Sequence, residues 1–237
     1  GRLSDAKARE LRHGYYACVS YVDALVGRLL DRLAELELAE RTVVVLWGDH
    51  GYQLGEQGLW TKANNYELAT RVPLIIAAPD TAKPEPSAAE PGVHARGLVE
   101  FVDVYPTLAE LCGLEQPAGV EGISLKPLLA EPDRTWKTAV FSQYPRAARG
   151  HRHSGHGDFM GYAVRTDRYR YVEWRDGQTK EVVARELYDH QSDAGEMRNL
   201  AADAEQAAVV EDLAAVLAAG WRAALPSEAN RNEARAD

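Results

Sequence analysis

Apolar residues return at Tyr15, Val19, Val22, Val26, Leu29, Leu30, Leu33 and Leu36, with Arg28, Asp31, Arg32 and Glu35 between them. Steps of three and four place the first set on one face of a helix and the charged set on the other. Ser4 and Asp5 supply a start for it: a serine hydroxyl accepts an open first-turn N–H, and a carboxylate suits the positive end of the helix dipole. The pattern then changes. Residues 41–47 (RTVVVLW) and 71–79 (RVPLIIAAP) are continuous apolar runs, which predicts strands buried on both faces. Between them, residues 48–71 are polar and glycine-rich, and a connection of that length inside a compact unit is usually functional.

Beyond a proline-rich loop at 80–92, Leu98 to Leu114 reads as a helix, with Tyr105-Pro106 near its start. Ala139 to Tyr144 reads as a short strand, and Arg146 to Asp158 as a Gly/His/Arg loop. Alternation at Tyr162, Val164, Tyr169, Tyr171 and Val172 predicts a hairpin over Gly161 to Trp174, turned at Thr166-Asp167-Arg168. Its aromatics, with Trp174, read as hairpin packing rather than a sugar platform. Glu186 to Asn199 reads as a structured turn, and Glu205 to Trp221 as a closing helix. The order predicts an α/β layer with a parallel sheet, then a small antiparallel α+β subdomain. The expected boundaries are 1–135 for the first, 136–225 for the second and 226–237 for a flexible tail.

Composition narrows the function. The chain has 237 residues, 46% of them hydrophobic, so it can bury a core. Its net charge of −9 argues against general nucleic-acid binding, which needs a basic face. The charge is uneven: Arg134 to Arg170 carries eight Lys or Arg against Asp158 and Asp167, a net of +6. That stretch is either ordinary basic surface or a patch facing an anionic ligand. Cys18 and Cys112 sit in apolar helical surroundings and read as small buried hydrophobes, with no disulfide required. No apolar run has the length of a membrane span.

The candidate chemistry lies at the end of the first strand. Asp49 and His50 stand where open α/β sheets hold their ligands, beyond a strand's carboxyl end. Together they offer one hard oxygen and one imidazole to a metal. Gly48, Gly51, Gly55 and Gly58 let the backbone turn tightly and come close to a ligand. Lys62 adds a point charge able to hold an anionic group. On the dipeptide alone, a structural strand end is an equally open reading. Elsewhere, His151, His153 and His156 follow no standard ligand spacing; a metal site, a substrate-facing loop and a plain exposed loop all remain open.

The string DHGYQLGEQGLWTKANNYELATRVPLIIAAP (49–79) closely resembles the second signature region of the sulfatase family, within the alkaline-phosphatase-like superfamily. It is most similar to the iduronate-sulfatase group, which shares D-H-G-x-x-L-G-E-x-G-x-W-x-K and the following A-T and V-P-L-I. YYACVSYVDALVGRLLDRL (15–33), GISLKPLL (122–129), SQYPR (142–146), MGYAVRTDRYRYVEW (160–174) and ELYDHQSDAGEMRNLA (186–201) extend the likeness to about residue 200. The resemblance implies that Asp49 and His50 help bind a divalent cation, Ca²⁺ in most of the family. It implies catalytic roles for His50 and Lys62, with Lys62 contacting the sulfate group and its bridging oxygen, and a substrate-facing aromatic at Tyr52. Arg146 is a further candidate for a substrate carboxylate or sulfate.

Two parts of that family's machinery have no match here. The formylglycine nucleophile arises from C-x-P-x-R or S-x-P-x-R, but Cys18 precedes Val-Ser-Tyr and Cys112 precedes Gly-Leu-Glu. The N-terminal Asp-Asp metal pair is also missing. With a start at Gly1 rather than Met, the expectation is a C-terminal portion of a sulfatase acting on sulfated sugars of the glycosaminoglycan type. Such a chain, inactive alone, would need an N-terminal sulfatase chain carrying the formylglycine, or an oligomer partner. The resemblance implies a periplasmic, secreted or lysosome-like compartment, although no export signal is readable. Two alternatives remain: a phosphate or phosphonate ester hydrolase of the same superfamily, and a non-catalytic binding or assembly module.

Overall fold

The computed structural model describes residues 3–60, 62–79, 92–116, 118–147 and 158–227. Helix α1 runs Asp5–Glu35, and Ser4 caps it by accepting the Lys7 N–H. It ends where Glu37 takes a left-handed conformation, and the Glu37 and Leu38 amides close the last turn on Ala34 and Leu33 carbonyls. The amphipathic pattern is present, but no residue of α1 is buried within this chain. Leu29 is 67% exposed, and Tyr16, Val19, Tyr21 and Val22 are exposed beside it.

Strand β1 (Val44–Trp47) and strand β2 (Leu74–Ala77) pair with each other, and they pair antiparallel, Val44 opposite Ala77 and Trp47 opposite Leu74. The parallel arrangement expected for these two runs is therefore corrected. A parallel pair needs a crossover of a dozen or more residues, usually helical. Here the connection leaves and returns at the same end, where the Gly48 amide donates to the Pro73 carbonyl at 3.1 Å. Its one α-helical piece is the single turn α2 (Glu67–Thr70). An apolar run without alternation carries no information about strand direction. Nor are both faces covered in this chain: Leu74 and Ile76 pack near Leu125, Leu128 and Trp136, while Ile75 is exposed.

The predicted helix over Leu98 to Leu114 is shorter. Leu98 bridges to Lys137, a 3₁₀ turn covers Phe101–Asp103, and α3 spans Val104–Leu111 with Pro106 in its first turn. Asp103 sets this geometry. Its buried carboxylate accepts from Lys137 Nζ, the Glu100 amide and the Ile123 amide. Helix α4 (Lys126–Ala130) follows.

The second half is a four-stranded antiparallel sheet in the order β3 (Val140–Arg146), β4 (Phe159–Arg165), β5 (Tyr169–Asp176), β6 (Val182–Asp189). Pro145 is accommodated because β3 is an edge strand. Strand alternation gives the sheet two apolar faces. Val164, Tyr171 and Leu187 face α5 (Ala207–Ala219) with Leu213 and Ala224. Ala163, Val172 and Trp174 form a cluster with Phe159. Strand β6 lies partly inside the segment read as a turn; the run VVARELYD lacks the clean alternation of β4 and β5. The free cysteines, Cys18 and Cys112, are both exposed rather than buried. Among the described residues, no helix is long and apolar enough to cross a membrane.

Candidate functional site

The chain leaves β1 into a turn in which three of the four glycines do specific work. Gly51 donates its amide to the Ala69 carbonyl at 2.9 Å, and a Cβ there would lie 1.9 Å from the Leu68 carbonyl oxygen. No side chain fits at that position. Gly55 (φ 116) and Gly58 (φ 74) take left-handed conformations that reverse the loop toward Trp60.

This turn brings Asp49, His50 and Lys62 together. The His50 Nδ1–H donates to the Gly51 carbonyl at 2.8 Å, which fixes the ring and leaves the Nε2 lone pair as its acceptor. Lys62 Nζ lies 2.5 Å from that Nε2, and Asp49 Oδ2 lies 3.3 Å from it. The Asp49 side chain is 83% exposed, so its oxygens are open to a ligand. The exposed Asp49 carboxylate fits as part of a divalent-cation shell as it stands; the anchored imidazole would join it through Nε2 once Lys62, which occupies that lone pair here, turns to an anionic oxygen. A hard cation takes about six to eight ligands, so two residues supply only a share of it. The ammonium beside them can hold an anionic oxygen.

The other two candidates stand elsewhere. Tyr52 packs its ring 5.6 Å from that of Tyr15 on α1, and its hydroxyl donates to the Trp60 carbonyl at 3.4 Å. Arg146, at the end of β3, lays its guanidinium over Trp174 at 4.5 Å. Among the described residues that stacking, rather than the Asp49–Lys62 cluster, is what it touches. The histidines at 151, 153 and 156 lie outside the described residues.

Three sets of polar residues that the sequence reading passed over hold the loop from behind. Gln53 is fully buried, accepting from Asn64 Nδ2 and donating to Gln57, which in turn donates to the Gly195 carbonyl. Asn65 donates to the Gly161 carbonyl at 3.0 Å; a Cβ on Gly161 would come within 2.8 Å of Asn65 and 2.7 Å of Trp174. Glu67 accepts from Arg165 and Arg170, while Arg170 also binds Glu196. Burial pushes the Glu67 carboxyl up, but the Arg165 hydrogen bond and the charges of Arg170, Arg165 and His190 outweigh it, leaving it below the usual carboxylate range. Gln57, Asn65 and Glu67 find their partners 96 to 138 positions away, so no local pattern announces them.

These pairs also account for half of the basic segment. Lys137 is buried on Glu100 and Asp103, Arg165 and Arg170 pair with Glu67 and Glu196, and Arg168, half exposed, pairs with Asp189. Four of its cations are therefore partners of carboxylates within the fold. Glu67, His190 and Glu196 do gather ligand-type atoms within 4.8 Å of one another. Yet Arg170 already supplies the positive charge among them, and Glu196 Oε2 accepts the Glu67 amide. The donor set does not fit a further cation.

The chain is 32% identical over 263 residues to iduronate 2-sulfatase of Mus musculus, covering 90% of this chain and 48% of that protein. It is 33% identical over 215 residues to a sulfatase of Formosa agariphila, covering 91% of this chain and 37% of that one. Among solved structures, phosphonate monoester hydrolase from Silicibacter pomeroyi superposes with a TM-score of 0.78 at 28% identity, over 94% of this chain and 43% of that one. The chain thus spans less than half the length of these relatives. Its architecture is part of the alkaline-phosphatase-like α/β fold of its sulfatase neighbours. The family described as N-sulphoglucosamine sulphohydrolase, C-terminal, matches residues 55–222, and the chain belongs to it.

Proposed function

We propose that this chain is the C-terminal portion of a sulfatase that hydrolyses sulfate esters of sulfated sugars, glycosaminoglycan type included. The observation that carries the reading is the convergence of Asp49, His50 and Lys62 at the end of β1 in a member of this family. In this reading, residues 1–135 belong to the catalytic α/β layer and 136–225 form the supporting subdomain. Asp49 and His50 hold a divalent cation, Ca²⁺, as part of its shell; when bound, the cation polarises the ester and offsets its charge. Lys62 takes up a sulfate oxygen and the bridging oxygen as negative charge develops on it. His50, its ring fixed by Gly51, keeps Nε2 aimed at the same place. In this reading Tyr52, next to the turn, faces substrate in the assembled site, and Arg146 does so only by leaving the Trp174 ring. The formylglycine and the remaining metal ligands come from polypeptide outside these 237 residues, and that polypeptide also covers α1.

The test uses a complete polypeptide containing this chain, assayed with a sulfate monoester and with a phosphonate monoester. Sulfate turnover that a chelator abolishes, and that Lys62→Ala lowers by about 10²- to 10³-fold, is expected. Unchanged turnover in Lys62→Ala defeats the reading. Faster phosphonate hydrolysis favours the second reading, a phosphonate ester hydrolase, which the superposition on the Silicibacter pomeroyi enzyme keeps open. The isolated chain is expected to turn over neither.

A further inference from the structure

We propose that Arg170 is a positioning residue for the His50–Lys62 pair, acting through the single helical turn α2. Arg170 lies on β5 with its side chain almost fully buried. Its guanidinium binds both ends of that turn: Nη2 donates to Glu67 Oε2 at 2.5 Å and to Thr70 Oγ1 at 3.0 Å. Its Nε donates to Glu196 at 2.6 Å, and Glu196 accepts the Glu67 amide at 2.7 Å. A planar fork spreads its donors over separate nitrogens, so Nε reaches Glu196 while Nη2 reaches Glu67 and Thr70; an ammonium has three donors but holds them all at one point on the chain.

Both members of the pair hang from α2. On one side the Gly51 amide binds Ala69, and the Gly51 carbonyl accepts the His50 Nδ1–H. The contact between Gly51 and the Leu68 carbonyl leaves no slack there. On the other side the Tyr66 amide binds the Asn64 side chain, and the Asn64 amide binds the Lys62 carbonyl at 2.9 Å. A displacement of α2 therefore moves the imidazole and the ammonium along two different routes, and their separation changes.

The proposal deepens the reading of this loop as the active site, and it is tested without turnover, so failure of either one is distinguishable. The experiment is NMR of the full 237-residue chain, isotope-labelled, following the His50 ring nitrogens. Lys62→Met first defines the signal of an imidazole that has lost its neighbour. Arg170→Gln is expected to move the ring signals toward that position and to remove their response to a second Lys62→Met change. The amides of Val164, Val172 and Leu187 should stay in place. Arg170→Lys should behave like Arg170→Gln, because it keeps the charge and loses the fork. Glu196→Gln and Thr70→Val each weaken one arm and give the same reading if Arg170→Gln does not fold. His50 signals that still respond fully to Lys62→Met in these variants overturn the proposal. So does an Arg170→Lys protein indistinguishable from wild type, which would make the influence one of charge and not of position.

Discussion

Helix α1 and the four-stranded sheet are built from equally apolar material and have opposite fates. The sheet encloses Val164, Tyr171, Val172 and Leu187 completely, with α5 closing one face. Helix α1 is more than twice as long as α5 and has no buried residue. Helix propensity and a serine cap sustain its shape, while its stripe of Val19, Val22, Leu25 and Leu29 stays open. An amphipathic pattern thus specifies a face that must be covered, without specifying that this polypeptide covers it. The second half supplies its own cover; the first leaves the face of α1 uncovered among the described residues.

Four changes sharpen or break that contrast. Leu187→Ala in the sheet core should cost about 2–5 kcal/mol, seen as a lower urea midpoint with an unchanged slope. A shift of under about 0.5 kcal/mol, the size of a surface substitution, would mean the sheet is not the stability core. Gly161→Ala forces a methyl group against Trp174 and Asn65 and should cost about 1–3 kcal/mol, with tryptophan fluorescence reporting the disturbance. Acid should attack the second half, and its contact with α2, through paired carboxylates. The Arg168 hydrogen bond holds the Asp189 carboxyl at about 2, below its ordinary 3.8, and Glu67 is also lowered. The unfolded chain then binds more protons, so this stability is fully present above the ordinary carboxylate values and drains away as pH falls toward 2. Arg168→Gln should flatten that part of a pH–stability curve. Smallest of all, Leu29→Ala on α1 should move the midpoint by less than about 0.5 kcal/mol in this chain. A larger loss would show that α1 is covered here after all, for instance by self-association, which a concentration series would expose.

The elements that could be read from the sequence are those with strong local periodicity. The 31-residue helix, the β4–β5 hairpin turned at residues 166–168 and the closing helix all have it. The direction of β2 against β1 depends on how a 26-residue connection folds back, and a run such as LIIA is silent on that. The site divides in the same way. Asp49, His50 and Lys62 stand out by residue type and family likeness. Their supports, Gln53, Asn65, Glu67, Arg170 and Glu196, are ordinary polar residues until their distant partners are seen. Charge counting along a segment meets the same limit: it sums Lys137 and Arg170 without Asp103 and Glu196, the carboxylates that neutralise them.

The Asn65–Gly161 and Gln57–Gly195 hydrogen bonds carry a consequence for recognising and transplanting such sites. The string from Asp49 to Lys62 looks like a portable cassette of fourteen letters. Its shape, however, is dictated by backbone carbonyls more than ninety residues downstream. A genome search on the string alone would retrieve spellings, not pockets. A graft of these residues onto another scaffold would carry the spelling without the mould.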